Sequence, residues 1–159
     1  MKYIHHTHTY SEQLVAEIMS LPNSSLPKSA VDAAKRLMLD TLACALAGQQ
    51  APGIAQVTER LQDWAGKPEA HILFSDDKLP MPNAAFVNAA MIHAMDLDDI
   101  YTPGTQHLTS VIVPATQAAA DAAGATTEET LAALILGIEA ATRIGRAEHK
   151  HRRGGGFLP

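Results

Sequence analysis

Alanine crowds the apolar stretches of this chain, and that limits the kind of core it can build. There are 28 alanines among 159 residues, while aromatic residues make up only 4%. A core of Ala, Leu, Ile, Val and Met suits closely packed helices. A β-sandwich draws instead on aromatic and β-branched side chains. The fold class expected is all-α, with about six helices and one short β-strand near 70–74.

The helices can be read in order. Thr9-Tyr10-Ser11-Glu12 has the form of a capping box, and Leu14, Val15, Ile18 and Met19 follow at helical spacing until Pro22. Pro27 stands near the first position of a second helix. Its wide apolar face carries Val31, Ala34, Leu37, Met38, Leu42, Ala45 and Leu46, and Gly48 suits the C′ position. Pro52 opens a third helix through Ile54, Val57, Leu61 and Trp64, ending at Gly66. The run 70–74 is the one short β-like stretch, and it needs a partner in this chain or in another. Pro80 and Pro82 lead into a helix through Ala84, Val87, Ala90, Met91 and Met95, whose small residues admit a second backbone at close range. A polar loop follows from Asp96 to about Leu108. Thr109 and Ser110 supply caps for the next helix, with Pro114 in its first turn or so and Gly124 beyond its end. Thr126 and Glu129 form a second capping box before Leu131, Leu134, Ile135, Ile138 and Ile144. Residues 1–8 read as a tail, 9–149 as one helical domain, and 150–159 as a basic, Gly-rich end.

Charge and composition exclude several classes. A net charge of -5 argues against a nucleic-acid partner, which draws a basic surface. The longest apolar run, 131–138, is far short of the ~20 residues of a membrane span, so no membrane partner is expected. A single cysteine, Cys44, excludes an intramolecular disulfide and suits a reducing compartment. With no apolar stretch among the first residues, a soluble cytoplasmic protein is expected.

The densest polar cluster runs from His93 through Asp96, Asp98, Asp99 and Tyr101 to His107, where one helix ends and another begins. Three carboxylates within four positions repel one another unless they are solvated, hydrogen-bonded or bound to a cation. As loop and turn carboxylates they need no function at all. A Mg²⁺ site of the diphosphate-handling kind would need a second acidic motif on a facing helix, and the sequence contains none, so no metal is expected. The remaining chemical reading pairs a carboxylate with a histidine as general base and acid on a small organic acid. The helix starting near Thr109 offers free N–H groups to an anion.

The chain resembles the MmgE/PrpD family at several ordered motifs. These are Asp40-Thr-Leu-Ala-Cys-Ala-Leu-Ala-Gly48, the segment from Asn83 to Asp99, His107 with Thr109 and Val113-Pro114-Ala115, the stretch from Gly137 to Arg146, and the final Gly156-Phe157-Leu158-Pro159. The resemblance runs from about residue 9 to the end. It implies a large helical domain with a smaller lid, homodimers, no cofactor, and chemistry on small polycarboxylates such as 2-methylcitrate dehydration, cis-aconitate decarboxylation or iminodisuccinate epimerisation. It also implies that Asp96 and His107 are catalytic, with His93, Asp99, Tyr101 and Thr109 as substrate contacts. Two positions depart from the family pattern: Ile100 stands where Thr is usual, and Leu108 follows the pocket histidine in place of Pro. The family's catalytic lysines, lid and returning helices would fall beyond Pro159. The expectation is therefore an N-terminal part without turnover of its own, associating with itself and binding citrate-like ligands weakly. The alternative is a non-catalytic assembly or binding domain.

Other residues carry blander expectations. Cys44, Met38 and Trp64 read as packing residues, and His71 as a surface or cross-strand residue. Arg143 reads as a partner of Glu139 or, with Arg146, as a solvated face. His5, His6, His8, His149 and His151 read as tail residues rather than metal ligands, and 154–156 lacks a phosphate-loop pattern.

Overall fold

The computed structural model describes residues 9–20 and 26–155, with side chains to residue 148. The readings at Pro22, at His5, His6 and His8 and at 156–159 lie outside the described residues, as do the side chains of His149 and His151, whose backbone belongs to the last helix. Six helices follow in order among the described residues: α1 (Tyr10–Met19), α2 (Lys28–Gly48), α3 (Ile54–Asp63), α4 (Met81–His93), α5 (Thr109–Ala123) and α6 (Thr127–Gly155). Between α3 and α4 lies a two-stranded antiparallel ribbon, β1 (Ala70–His71) and β2 (Lys78–Leu79), with Ala70 opposite Leu79. The all-α class holds. No helix among the described residues is long and apolar enough to cross a membrane.

Both capping boxes form. Glu12 N donates to Thr9 Oγ1 at 3.2 Å while Thr9 N donates to Glu12 Oε2 at 2.7 Å. Thr126 and Glu129 repeat the exchange at 2.8 and 3.2 Å before α6. The Arg143 guanidinium bonds Glu139 Oε1 at 2.9 Å and reaches Glu17, which ties α1 to α6.

Two apolar clusters fill the interior. One joins Cys44 and Ala45 of α2 to Leu61, Ile72, Leu79, Val87, Met91 and Ile92. The other joins Ala34 to Val113, Leu131 and Leu134, with Met38 packed against it.

Several local expectations change. Gly48 is the last residue of α2 rather than a cap beyond it. A Cβ there would lie 2.0 Å from the Met91 carbonyl oxygen and 3.1 Å from Ala94 Cβ, so glycine is required by helix contact and not by backbone torsion. The strand is shorter than 70–74 and finds its partner within the chain. The backbone turns at Phe74 (φ 62°), and the Leu73 amide bonds Asn88 Oδ1 at 2.9 Å in place of a ladder. Trp64 is 68% exposed, not a packing residue, because α3 gives way at Ala65, where φ is 54°. Thr109 is the first residue of α5 and no side chain of its own or of Leu108 caps that end. Pro114 is the sixth residue of α5, deeper than expected, and deprives the Ser110 carbonyl of its helical donor. The stretch after His149 continues α6 to Gly155.

Candidate active site

Helix α4 ends at His93, and the chain reverses through Asp96, which holds a left-handed φ of 53°. Asp tolerates that conformation better than most side chains. An isolated bridge between Tyr101 and Gln106 then returns the chain to His107 and α5. The loop thus brings residues from the end of one helix against the start of another.

Asp98 lies at the centre of the cluster. Its side chain has no exposed surface, and its two oxygens face two histidines. Oδ1 is 2.9 Å from His93 Nδ1, and Oδ2 is 3.2 Å from His107 Nδ1. The imidazole rings meet edge to face with centroids 4.9 Å apart. An ionised carboxylate only accepts, so each Nδ1 carries the proton and each Nε2 is left with its lone pair. Burial opposes ionisation of Asp98, but hydrogen bonds from His93, Ser110 and its own backbone prevail and hold its carboxyl below the usual range. The bond to Asp98, reinforced by its charge, raises the His93 pKa.

The expected site residues divide. Asp96 is 79% exposed, with Oδ1 4.0 Å from His107 Nε2, near enough to stabilise a protonated ring. Asp99 and Thr109 are turned to each other: Asp99 Oδ1 accepts from the Thr109 amide at 2.9 Å and from its hydroxyl. Thr109 is buried, so both residues serve the start of α5 in this arrangement. Tyr101 is half-buried, and its backbone amide bonds the Gln106 carbonyl at 2.8 Å. Beside His107 opens a cavity of about 340 Å³ lined by Leu108, Val111, Ile112 and Ala141. Ile100 is 61% exposed and offers no hydrogen bond where the family pattern has a hydroxyl.

Sequence reasoning treated Asp98 as a turn carboxylate and missed the bridge. The available signal was that Asp98 and Asp99 are adjacent: once one caps α5, the other is carried toward the histidines. Cys44 is buried as expected. Burial pushes its thiol pKa up, and the charges of Asp40, Asp98 and Asp99 push it further. That makes the thiol a poor nucleophile.

His93, Asp96, Asp98 and His107 each present a donor atom within 4.8 Å of the others, a spacing that admits a metal ion. Both Asp98 oxygens, however, already accept imidazole protons, so a cation would have to displace them. The arrangement is better suited to moving protons: a buried anion holds two histidines in one tautomer and steadies the positive charge when either accepts a proton.

Residues 12–159 match the MmgE/PrpD N-terminal domain. The chain belongs to the MmgE/PrpD family. Among relatives of this MmgE/PrpD chain, a cis-aconitate decarboxylase-like protein of Aspergillus oryzae is 28% identical over 137 residues, covering 82% of this chain and 28% of the relative. The cis-aconitate decarboxylase of Aspergillus terreus is 29% identical over 133 residues, covering 80% and 27%. The human cis-aconitate decarboxylase is 27% identical over 139 residues, covering 84% and 29%. The chain therefore spans less than a third of the length of these relatives.

Proposed function

We propose that this chain supplies the acid–base half of a site acting on small polycarboxylates, with His107 as the group that exchanges a proton with a substrate carbon. The observation that carries the reading is the Asp98 carboxylate, buried and bridging His93 and His107 through their Nδ1 atoms. That bond leaves His107 Nε2 free as a base and stabilises the imidazolium it becomes. Asp96, beside the same nitrogen, adds charge stabilisation. His93, with its raised pKa, and Tyr101 are the contacts for substrate carboxylates, with Asp99 and Thr109 holding the start of α5 in place.

The names of the relatives put decarboxylation first. Loss of CO₂ breaks a carbon–carbon bond and leaves its electron pair on the substrate, and His107, having taken a proton from solvent at Nε2, delivers it to carbon. Dehydration, as of 2-methylcitrate, would run through the same nitrogen: Nε2 takes the proton α to a carboxylate and the β-hydroxyl leaves as water. Neither route calls for a cofactor, because imidazole carries the proton in both, from solvent to carbon in the first and from carbon to the departing hydroxyl in the second. A cytoplasmic setting suits the buried free thiol of Cys44.

The test is turnover in D₂O by the whole gene product that contains these residues. Cis-aconitate, 2-methylcitrate and iminodisuccinate are each followed by NMR for new product and for deuterium entering carbon positions. Turnover of at least one is expected, and His107→Gln should lower it by about a hundredfold or more. No reaction with any of the three, or full activity in His107→Gln, would overturn the reading.

A further inference from the structure

A second cavity, of about 620 Å³, opens away from the histidine cluster, where α2, the ribbon, α5 and the start of α6 converge. Its size is within the range of small-molecule sites, about 300–1,000 Å³. Lys35, Met38, His71, Gln117, Asp121 and Leu131 are among its walls.

The polar part of this wall is rigidly framed. Asp121 Oδ2 accepts from the His71 backbone amide at 2.9 Å and faces His71 Nδ1 at 2.8 Å. From the other side the buried Asn88 clamps the same ribbon, donating to the His71 carbonyl at 3.1 Å and accepting from Leu73. Because the carboxylate accepts, His71 Nδ1 holds the proton and Nε2 stays an acceptor. Both bonds to Asp121 use Oδ2, which leaves Oδ1 with lone pairs. Lys78 acts on Asp121 only through space.

Two further features remain unmatched. Gln117 Oε1 is buried with no hydrogen-bond partner, which is uncommon for a buried carbonyl and marks a place that lacks a donor. Lys35 pairs with no carboxylate among the described residues. The cavity therefore offers a cation at Lys35, a carboxylate at Asp121 with an unused oxygen, an acceptor at His71, and apolar walls at Met38, Leu73 and Leu131. The two formal charges cancel, so a polyanion such as a tricarboxylate is poorly matched. The complement is a zwitterion with an apolar side group.

We propose that this cavity is a second ligand site that takes an apolar α-amino acid, its carboxylate on Lys35, its ammonium toward Asp121 and His71, and its side chain against Met38, Leu73 and Leu131. The site is separate from the histidine cluster and makes no use of it.

The probe is L-leucine, titrated into the ¹⁵N-labelled chain and followed by amide chemical shifts. Two controls each remove one charge: 4-methylpentanoate lacks the amine and isoamylamine lacks the carboxylate. Saturable shifts in the millimolar range are expected around Lys35, Leu73, Gln117 and Thr130, with those of His93 and His107 unmoved. Each control should bind about tenfold more weakly, since each loses a charge-assisted contact. Lys35→Met, on an exposed helical position where Met is well tolerated, should weaken leucine about tenfold and leave isoamylamine unchanged. Ala120→Leu, which fills the cavity, should abolish binding. The proposal is overturned if leucine gives no saturable shift, if either control binds as tightly, if Lys35→Met binds leucine undiminished, or if the shifts gather at His93 and His107.

Discussion

Asp99 Oδ1 accepts the backbone amide of Thr109 at 2.9 Å, ten residues farther along the chain. This is a helix cap supplied from a distance. The first N–H groups of α5 have no partner within the helix, and Leu108, at the N-cap position, has no side chain that could bond them. Asp99→Ala should therefore cost about 1–2 kcal/mol, as for loss of a local cap. Asp99→Asn keeps an acceptor oxygen and should recover most of it. Urea midpoints of the two variants check this. Equal midpoints for Asp99→Ala and the parent would show that water replaces the carboxylate.

Gly48 gives a prediction with an unusual sign. Exchanging glycine for alanine within a helix ordinarily stabilises by about 1 kcal/mol. Here the new methyl group would stand 2.0 Å from the Met91 carbonyl oxygen, a backbone atom that cannot swing aside. Gly48→Ala should instead destabilise by about 1–3 kcal/mol as α2 and α4 are forced apart. Thermal unfolding measures it. A rise in melting temperature would mean that the two helices are farther apart than described.

The His93–Asp98 pair makes stability depend on pH in a defined window. The folded pKa of His93 is raised, chiefly by its hydrogen bond to Asp98, so its contribution is complete below the unfolded imidazole value of about 6.5 and fades as pH rises through the folded value. The folded pKa of Asp98 is lowered, so its contribution is present above about 3.9 and fades as pH falls through the folded value. Both contributions are complete together only on the mildly acidic side of neutrality. Asp98→Asn should flatten that maximum and return the His93 titration, followed by imidazole NMR, to the ordinary range. An unmoved His93 midpoint would remove Asp98 as the cause.

What was legible in the sequence was what depends on neighbours along the chain. Both capping boxes span four residues and form as read, and the helices lie where the apolar spacing put them, but Val15, Met19, Leu46 and Ile144 of those apolar faces stay exposed and α4 ends at His93, short of Met95. Contacts between distant positions were not legible. Asp98 and Asp99 are chemically identical neighbours, yet one bridges two histidines and the other caps α5, a choice made only once α4 and α5 pack. His71 meets Asp121 fifty residues away. Trp64 counted as core by its hydrophobicity, but its place beyond the end of α3 leaves it exposed.

Magnesium should leave the melting temperature unchanged. A hard cation prefers clustered free oxygens, and the two of Asp98 already face imidazole nitrogens while Asp99 Oδ1 holds Thr109. Asp96 alone projects into solvent. Thermal shift with millimolar Mg²⁺ and with EDTA checks the expectation. A saturable rise with Mg²⁺ that Asp96→Asn removes would establish a cation at the cluster.

The last prediction concerns association. Trp64 is 68% and Phe86 60% exposed, and both line one shallow cavity of about 250 Å³ with Val57 and Leu61. Leu39 on α2, Val111 on α5 and Ile144 on α6 add further apolar surface in the open. Contiguous exposed apolar patches favour contact with another surface. The chain should therefore sediment as a dimer or larger species at tens of micromolar, above the 16.9 kDa of one copy. Trp64 is the single tryptophan, so its emission reports on this face alone. If the patch around Trp64 and Phe86 is the contact, emission should shift to shorter wavelength as concentration rises, and Phe86→Ser should abolish both the shift and the larger species. A dimer whose tryptophan emission never moves would transfer the contact to one of the other exposed apolar groups, Leu39, Val111 or Ile144. A clean monomer throughout that range would overturn the prediction.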